Sequence, residues 1–108
     1  MPMQLLTKGI LEKFPKLGAT EKTPAEEKVV VAKFFDPCGS WTWYAVEGGA
    51  EGEDYHFFGL VDGFELEWGY FSLSELKSVK GPLGLGIERD LYFGHPKIKD
   101  VPALKGRV

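Results

Sequence analysis

Cysteine is almost missing from this chain of 108 residues, where Cys38 stands alone. A single thiol closes no intrachain bridge, so nothing ties the fold to an oxidising compartment, and Cys38 reads as a small turn residue rather than a nucleophile. Histidine is nearly as scarce, with only His56 and His95. Neither shares a ligand spacing with Cys38, so no metal and no cofactor is expected. Long apolar runs are missing too. The opening MPMQLLTKGILEKF is broken by charge after a few apolar residues, too early for a secretory signal or a membrane span, and the expectation is a soluble cytoplasmic protein.

Signatures of catalysis are equally thin. Gly81, Gly84 and Gly86 superficially resemble a phosphate loop, but no Lys-Ser or Lys-Thr follows, and they come after a helical pattern rather than between strand and helix. Glu65 and Glu67 resemble paired glycosidase carboxylates only in spacing; on one strand they read as a solvated edge. His56 lies near Asp54 without an evident nucleophile, and a satisfied sheet histidine is the plainer reading. Arg89 and Asp90 in IERD read as a structural ion pair ahead of a ligand-binding arginine.

What the chain does have is charge segregation and aromatic residues. The net charge is −3, but residues 26–67 carry ten acids against Lys28 and Lys33, a net of −8, while residues 68–108 carry +3 and residues 1–25 carry +2. A nucleic-acid binder gains most of its affinity by neutralising phosphates, so the acidic middle argues against that partner for the sheet as a whole. At this length a single domain is expected to bury about 60–70% of its unfolded surface, enough for a core without staples. The compact part is expected over residues 3–93, with 94–108 as a loosely attached basic tail.

Thr7 is placed to cap a short helix from Lys8 to Phe14, stopped by Pro15. KVVVAKFF reads as an inner strand, Lys28 to Phe35, and Asp36-Pro37-Cys38-Gly39 has the chemistry of a type I turn. The next strand, Ser40 to Val46, puts Trp41, Trp43 and Ala45 on one face and Thr42, Tyr44 and Val46 on the other. EGGAEGED then reads as a flexible, self-repelling acidic loop. Tyr55 to Asp62 forms a third strand. The link to the fourth has two readings: a tight Asp62-Gly63 hairpin, or a wider turn through FELE with the strand beginning near Trp68; a register slip between them swaps the faces. Ser72 and Glu75 form a capping box opening a helix from Leu73 to about Val79, ended by Gly81 and Pro82. A last extended segment is expected at Leu91 to Phe93. The order implies an α+β domain: an antiparallel meander of about four strands with a short N-terminal helix and a short helix after the fourth strand.

The strand carrying Trp41, Trp43 and Tyr44 is large and apolar on both sides, and one layer of short helices covers only one of them. Either the tryptophans or Tyr44 should therefore stay open, and an open aromatic beside polar groups is a common interaction hot spot. Trp41, Trp43, Tyr44, Lys33 and Arg89 are the candidate binding residues.

LLTK at 5–8, FPKLGATE at 14–21, VVVAKFFDP at 29–37, SWTWYAVE at 40–47, FFGLVDGFELEWGYFSLSEL at 57–76 and GPLGLGIERDLYF at 81–93 together resemble the bacterial family called domain of unknown function 2958. The resemblance implies a small protein of the kind often encoded on plasmids, phages and conjugative elements, and it supplies no activity, cofactor or site. The GGAEGED stretch and the basic segment after Gly94 depart from it.

The leading functional expectation is a non-enzymatic accessory domain of a mobile element that binds an unknown protein partner. Single-stranded nucleic-acid binding is the alternative, with the aromatics stacking bases and Lys33, Lys77, Lys80 and Arg89 meeting phosphates. An enzyme using His56 with Asp54 or Glu65 comes third. An exposed sheet edge also leaves room for an edge-strand dimer.

Overall fold

The computed structural model describes residues 5–81 and 84–108. Met3, at the expected start of the compact part, and Pro82, in the expected helix stop, lie outside the described residues. Helix α1 spans Lys8–Leu11, with the Thr7 hydroxyl accepting from the Ile10 amide as expected of its cap. Strands β1 (Ala32–Phe35), β2 (Thr42–Glu51), β3 (Asp54–Asp62) and β4 (Leu66–Ser72) follow, then helix α2 (Leu73–Ser78) and a two-residue strand β5 (Glu88–Arg89). All pairings are antiparallel, in the order β4-β3-β2-β1-β5. The α+β fold and its four-strand meander are as expected, and a fifth strand crosses over to the β1 edge. The fifth falls at Glu88–Arg89 rather than at Leu91–Phe93, where Leu91 and Tyr92 form an exposed turn whose amide at Tyr92 bonds the Asp90 carboxylate.

Period-two alternation sorts the apolar residues into two cores. On the first face Phe34, Trp43, Ala45, Phe57 and Phe71 pack with Leu5 and with Leu76 of α2. On the second face Tyr44, Val46 and Leu60 pack with Val30, Ile98, Val101 and Leu104. Residues 94–108 are therefore no loose tail. Two 3-10 turns, Ile98–Asp100 and Pro102–Leu104, drive three buried side chains into the second core. The backbone joins in as well: the Val30 amide donates to the Pro96 carbonyl (2.8 Å) and the Ile98 amide to the Lys28 carbonyl (2.9 Å). Hence the strip before β1 is zipped to the chain end.

The acidic glycine run EGGAEGED is not a loop either. Most of it lies in a long hairpin, Glu51 opposite Asp54, turned at Gly52 with φ 61°. Gly48 and Gly49 fit a strand because other side chains fill the space theirs leave: a β-carbon on Gly48 would meet the rings of Tyr55 and Phe14, and one on Gly49 would touch Leu17. The expected repulsion is relieved locally, since Glu51 pairs with His56 (3.1 Å) and Asp54 accepts from Ser74 and the Tyr55 amide.

The β3–β4 link is a three-residue loop, Gly63 to Glu65, with Asp62 opposite Leu66 and the Gly63 amide donating to the Glu65 carbonyl (3.1 Å). A two-residue turn would have put Trp68 on the first face. The extra residue sends Leu66, Trp68 and Tyr70 to the second, opposite Asp62, Leu60 and Phe58.

Candidate interaction groove

The site begins with a β-bulge. Beyond Ala45 the register of β2 against β3 slips, leaving Val46 as the extra residue and setting Glu47 opposite Phe58 on the second face. Here β1 no longer borders β2, and the Gly48 amide instead donates to the Pro15 carbonyl (3.0 Å). The segment after α1 is thus carried alongside β2, and Glu47 anchors it. Its carboxylate, 2% exposed, accepts from the amides of Gly18 (2.7 Å) and Thr20 (3.0 Å) and from the Thr20 hydroxyl. The buried Lys28 ammonium donates to the Thr20 carbonyl and to its hydroxyl oxygen. Burial pushes the Glu47 carboxyl up, but the Thr20 hydroxyl, the two amides and the Lys28 charge outweigh it and hold the group below its ordinary value.

Facing this anchor, β3 and β4 present a row of rings. Phe58 and Trp68 stack with centroids 5.6 Å apart at 16°, and Tyr70 tilts against Phe58 at 5.0 Å. Tyr70 is 71% exposed. Between the rings and the Gly18–Lys28 strip runs an open groove of about 520 Å³. Glu21, Thr23 and Ala25 line its outer side, and Glu47 and Lys28 its base. Aromatic rings facing an exposed carboxylate suit a planar or cationic group of side-chain size.

The residues expected from sequence are distributed elsewhere. Trp43 (8% exposed) lies in the first core and Tyr44 (2%) in the second. Both faces are covered because the chain end supplies the second layer, so the choice between them does not arise. Trp41 is half-buried, tilted against Trp43 (5.9 Å, 34°) and edge-on to the exposed Phe64 (5.3 Å), and its ring occupies the place a side chain on Gly63 would take. Lys33 shares Tyr44's face but lies over the Phe93 ring (5.0 Å) and 3.7 Å from the Asp90 carboxylate. Arg89 sits on β5 opposite Phe34, across the sheet from the groove. Asp90 thus pairs with Lys33. The structure brings Trp41 to Trp43, and Lys33 to the ring beside Tyr44, and unites the five nowhere.

His56 lies between Glu51 (3.1 Å) and Asp54 (3.8 Å) near the hairpin end. The Ser74 hydroxyl donates to Asp54 (2.6 Å) rather than to the imidazole, so it is not placed for activation by that histidine. That hydroxyl is the chief cause of the lowered Asp54 carboxyl, ahead of the Tyr55 amide and the His56 charge. The groove itself was missed in the sequence. Its rings converge through the three-residue turn and its carboxylate through the bulge, and the alternation of Trp68 with Tyr70 was the one legible sign.

Fold and groove define a small α+β domain on a five-stranded antiparallel sheet, a four-strand meander with β5 added at the β1 edge, packed on both faces. The family described as "Protein of unknown function (DUF2958)" matches residues 5–99, and the chain belongs to it. No curated protein and no solved structure matches. Among the described residues no helix is long and apolar enough to cross a membrane.

Proposed function

We propose that the chain is an interaction domain without chemistry of its own, which takes a side chain of a partner protein into the groove between the Gly18–Lys28 strip and the Phe58–Trp68–Tyr70 wall. The observation that carries this reading is the exposure of Tyr70, 71%, in continuous ring contact with Phe58 and, through it, Trp68. An aromatic kept in water beside a concave, partly charged surface forgoes burial that it gains on binding. A cytoplasmic accessory role on a mobile element belongs to the same reading; its cytoplasmic part rests on the short, charge-broken opening of the chain, and its mobile-element part on the resemblance set out under Sequence analysis. Single-stranded nucleic acid fits the ring wall but not the carboxylates facing it, which repel phosphates.

The test is comparative capture from a host extract with the full chain, its Tyr70→Ala variant and its Tyr92→Ala variant. Tyr92 is 95% exposed and does not line the groove. A partner lost by Tyr70→Ala and kept by Tyr92→Ala is the expected result. Equal recovery by Tyr70→Ala means the groove is not the binding surface.

A further inference from the structure

The chemistry of the groove narrows what enters it. Its wall is lined by Trp68, stacked on Phe58, and by the exposed ring of Tyr70, and a ring face attracts a cation within about 6 Å of its centroid. Opposite, on the exposed rim, stands the Glu21 carboxylate, while Glu47 at the base is already bonded by Gly18 and Thr20 and offset by the Lys28 charge. Lys28 is the one cation among the described residues that line the groove, and its ammonium is committed to the Thr20 carbonyl and hydroxyl. A phosphate-bearing ligand would meet repulsion from Glu21 here, and a neutral aliphatic group would gain nothing from it.

We infer that the groove binds an arginine side chain from a basic segment of a partner protein, its guanidinium stacked on the exposed ring of Tyr70, beside Trp68, and hydrogen-bonded toward Glu21. Arginine fits better than lysine because its guanidinium is planar, stacks on a ring with its N–H groups directed outward in the plane, and is more weakly hydrated. The inference rests on the interaction reading above and specifies its partner's chemistry.

The test uses the full chain, isotope-labelled for amide and indole nitrogen resonances, and two capped pentapeptides of sequence Gly-Ser-X-Gly-Ser. In one X is arginine; in the other it is citrulline, which has the same shape and no charge. The Trp68 indole resonance, assigned with Trp68→Phe, should shift with the arginine peptide and respond several-fold more weakly to citrulline. Tyr70→Ala should weaken the arginine peptide about threefold through loss of the cation–ring contact. Glu21→Gln should weaken it about two- to threefold, an effect that added salt reproduces in the parent. Both positions are solvent-facing, so both variants should keep the parent's dispersed spectrum. Equal binding of the citrulline peptide overturns the inference, and so does an unmoved Trp68 indole at millimolar peptide. The interaction reading is judged separately, by loss or retention of the captured partner with Tyr70→Ala.

Discussion

Glu47 does more for this fold than its neighbours in sequence suggest. A carboxylate with 2% exposure is tolerable only when its oxygens are bonded, and here they receive two amides and a hydroxyl from a segment with no sheet of its own. Glu47→Gln replaces an acceptor pair by one acceptor and one donor, so an amide N–H of Gly18 or Thr20 then faces an NH2 group. The substitution should lower unfolding stability by about 2 kcal/mol, read from urea denaturation at neutral pH. The pH dependence has a definite sign. Because the folded carboxyl titrates below its ordinary value of 4.5, its contribution is complete above that value and is lost as pH falls through the lower folded one. Asp54 acts in the same direction. Acid unfolding curves of Glu47→Gln should therefore be flatter than the parent's below the ordinary glutamate range, with a residual slope from Asp54; identical slopes would show that Glu47 is not ionised in the folded state. None of this was legible in EGGAEGED. Four acids among glycines read as solvated loop, and burial of one of them depends on a bulge that residue types do not announce.

At the scale of elements, turns decide which face each ring meets. The cap of α2 was readable because its chemistry is local: the Ser72 hydroxyl accepts from the Glu75 amide at 3.2 Å, as S-x-x-E implies. The Asp36–Gly39 turn was readable for the same reason, the Gly39 amide returning to the Asp36 carbonyl. The β3–β4 link was not, since Asp62-Gly63 favours two residues and the chain uses three, a choice settled by burying Leu66 and Trp68 against the second core. Two glycines facing each other across this hairpin separate sterics from propensity. Gly59 pairs with Gly69, yet a β-carbon on Gly59 would stand 2.0 Å from the Tyr44 carbonyl oxygen, whereas one on Gly69 meets nothing within 4 Å. Gly59→Ala should destabilise by about 3 kcal/mol, because the obstacle is backbone of the neighbouring strand. Gly69→Ala should change stability by less than about 1 kcal/mol, in the stabilising direction. Thermal unfolding of the two variants side by side checks this, and equal losses would refute the register.

For the molecule as a whole, charge and apolar spacing act together to close the second face. The basic chain end meets the acidic middle: Lys97 and Lys99 reach Glu27, and Arg107 forks onto both oxygens of Asp62 (2.9 and 3.0 Å). The opposite signs of these two stretches were legible in composition, but their meeting was not, because prolines and lysines suggested a loose tail. The sign that was there is the spacing of Ile98, Val101 and Leu104, three apart, which matches the 3-10 period and puts all three on one side. Surface pairs of this kind contribute little individually, so the apolar residues should dominate. Leu104→Ala is expected to cost about 3 kcal/mol by opening a cavity against the second core. Arg107→Ala, removing an exposed pair, should lower stability far less than Leu104→Ala and become indistinguishable from the parent at high salt. Deleting residues 94–108 exposes Tyr44, Val46 and Leu60 together, and the product should lose its sharp unfolding transition and bind a hydrophobic dye. A truncated chain that still unfolds cooperatively at the parent's midpoint would mean that the sheet holds its second face without this layer. The charge pairs would then be guides for docking rather than parts of a required core.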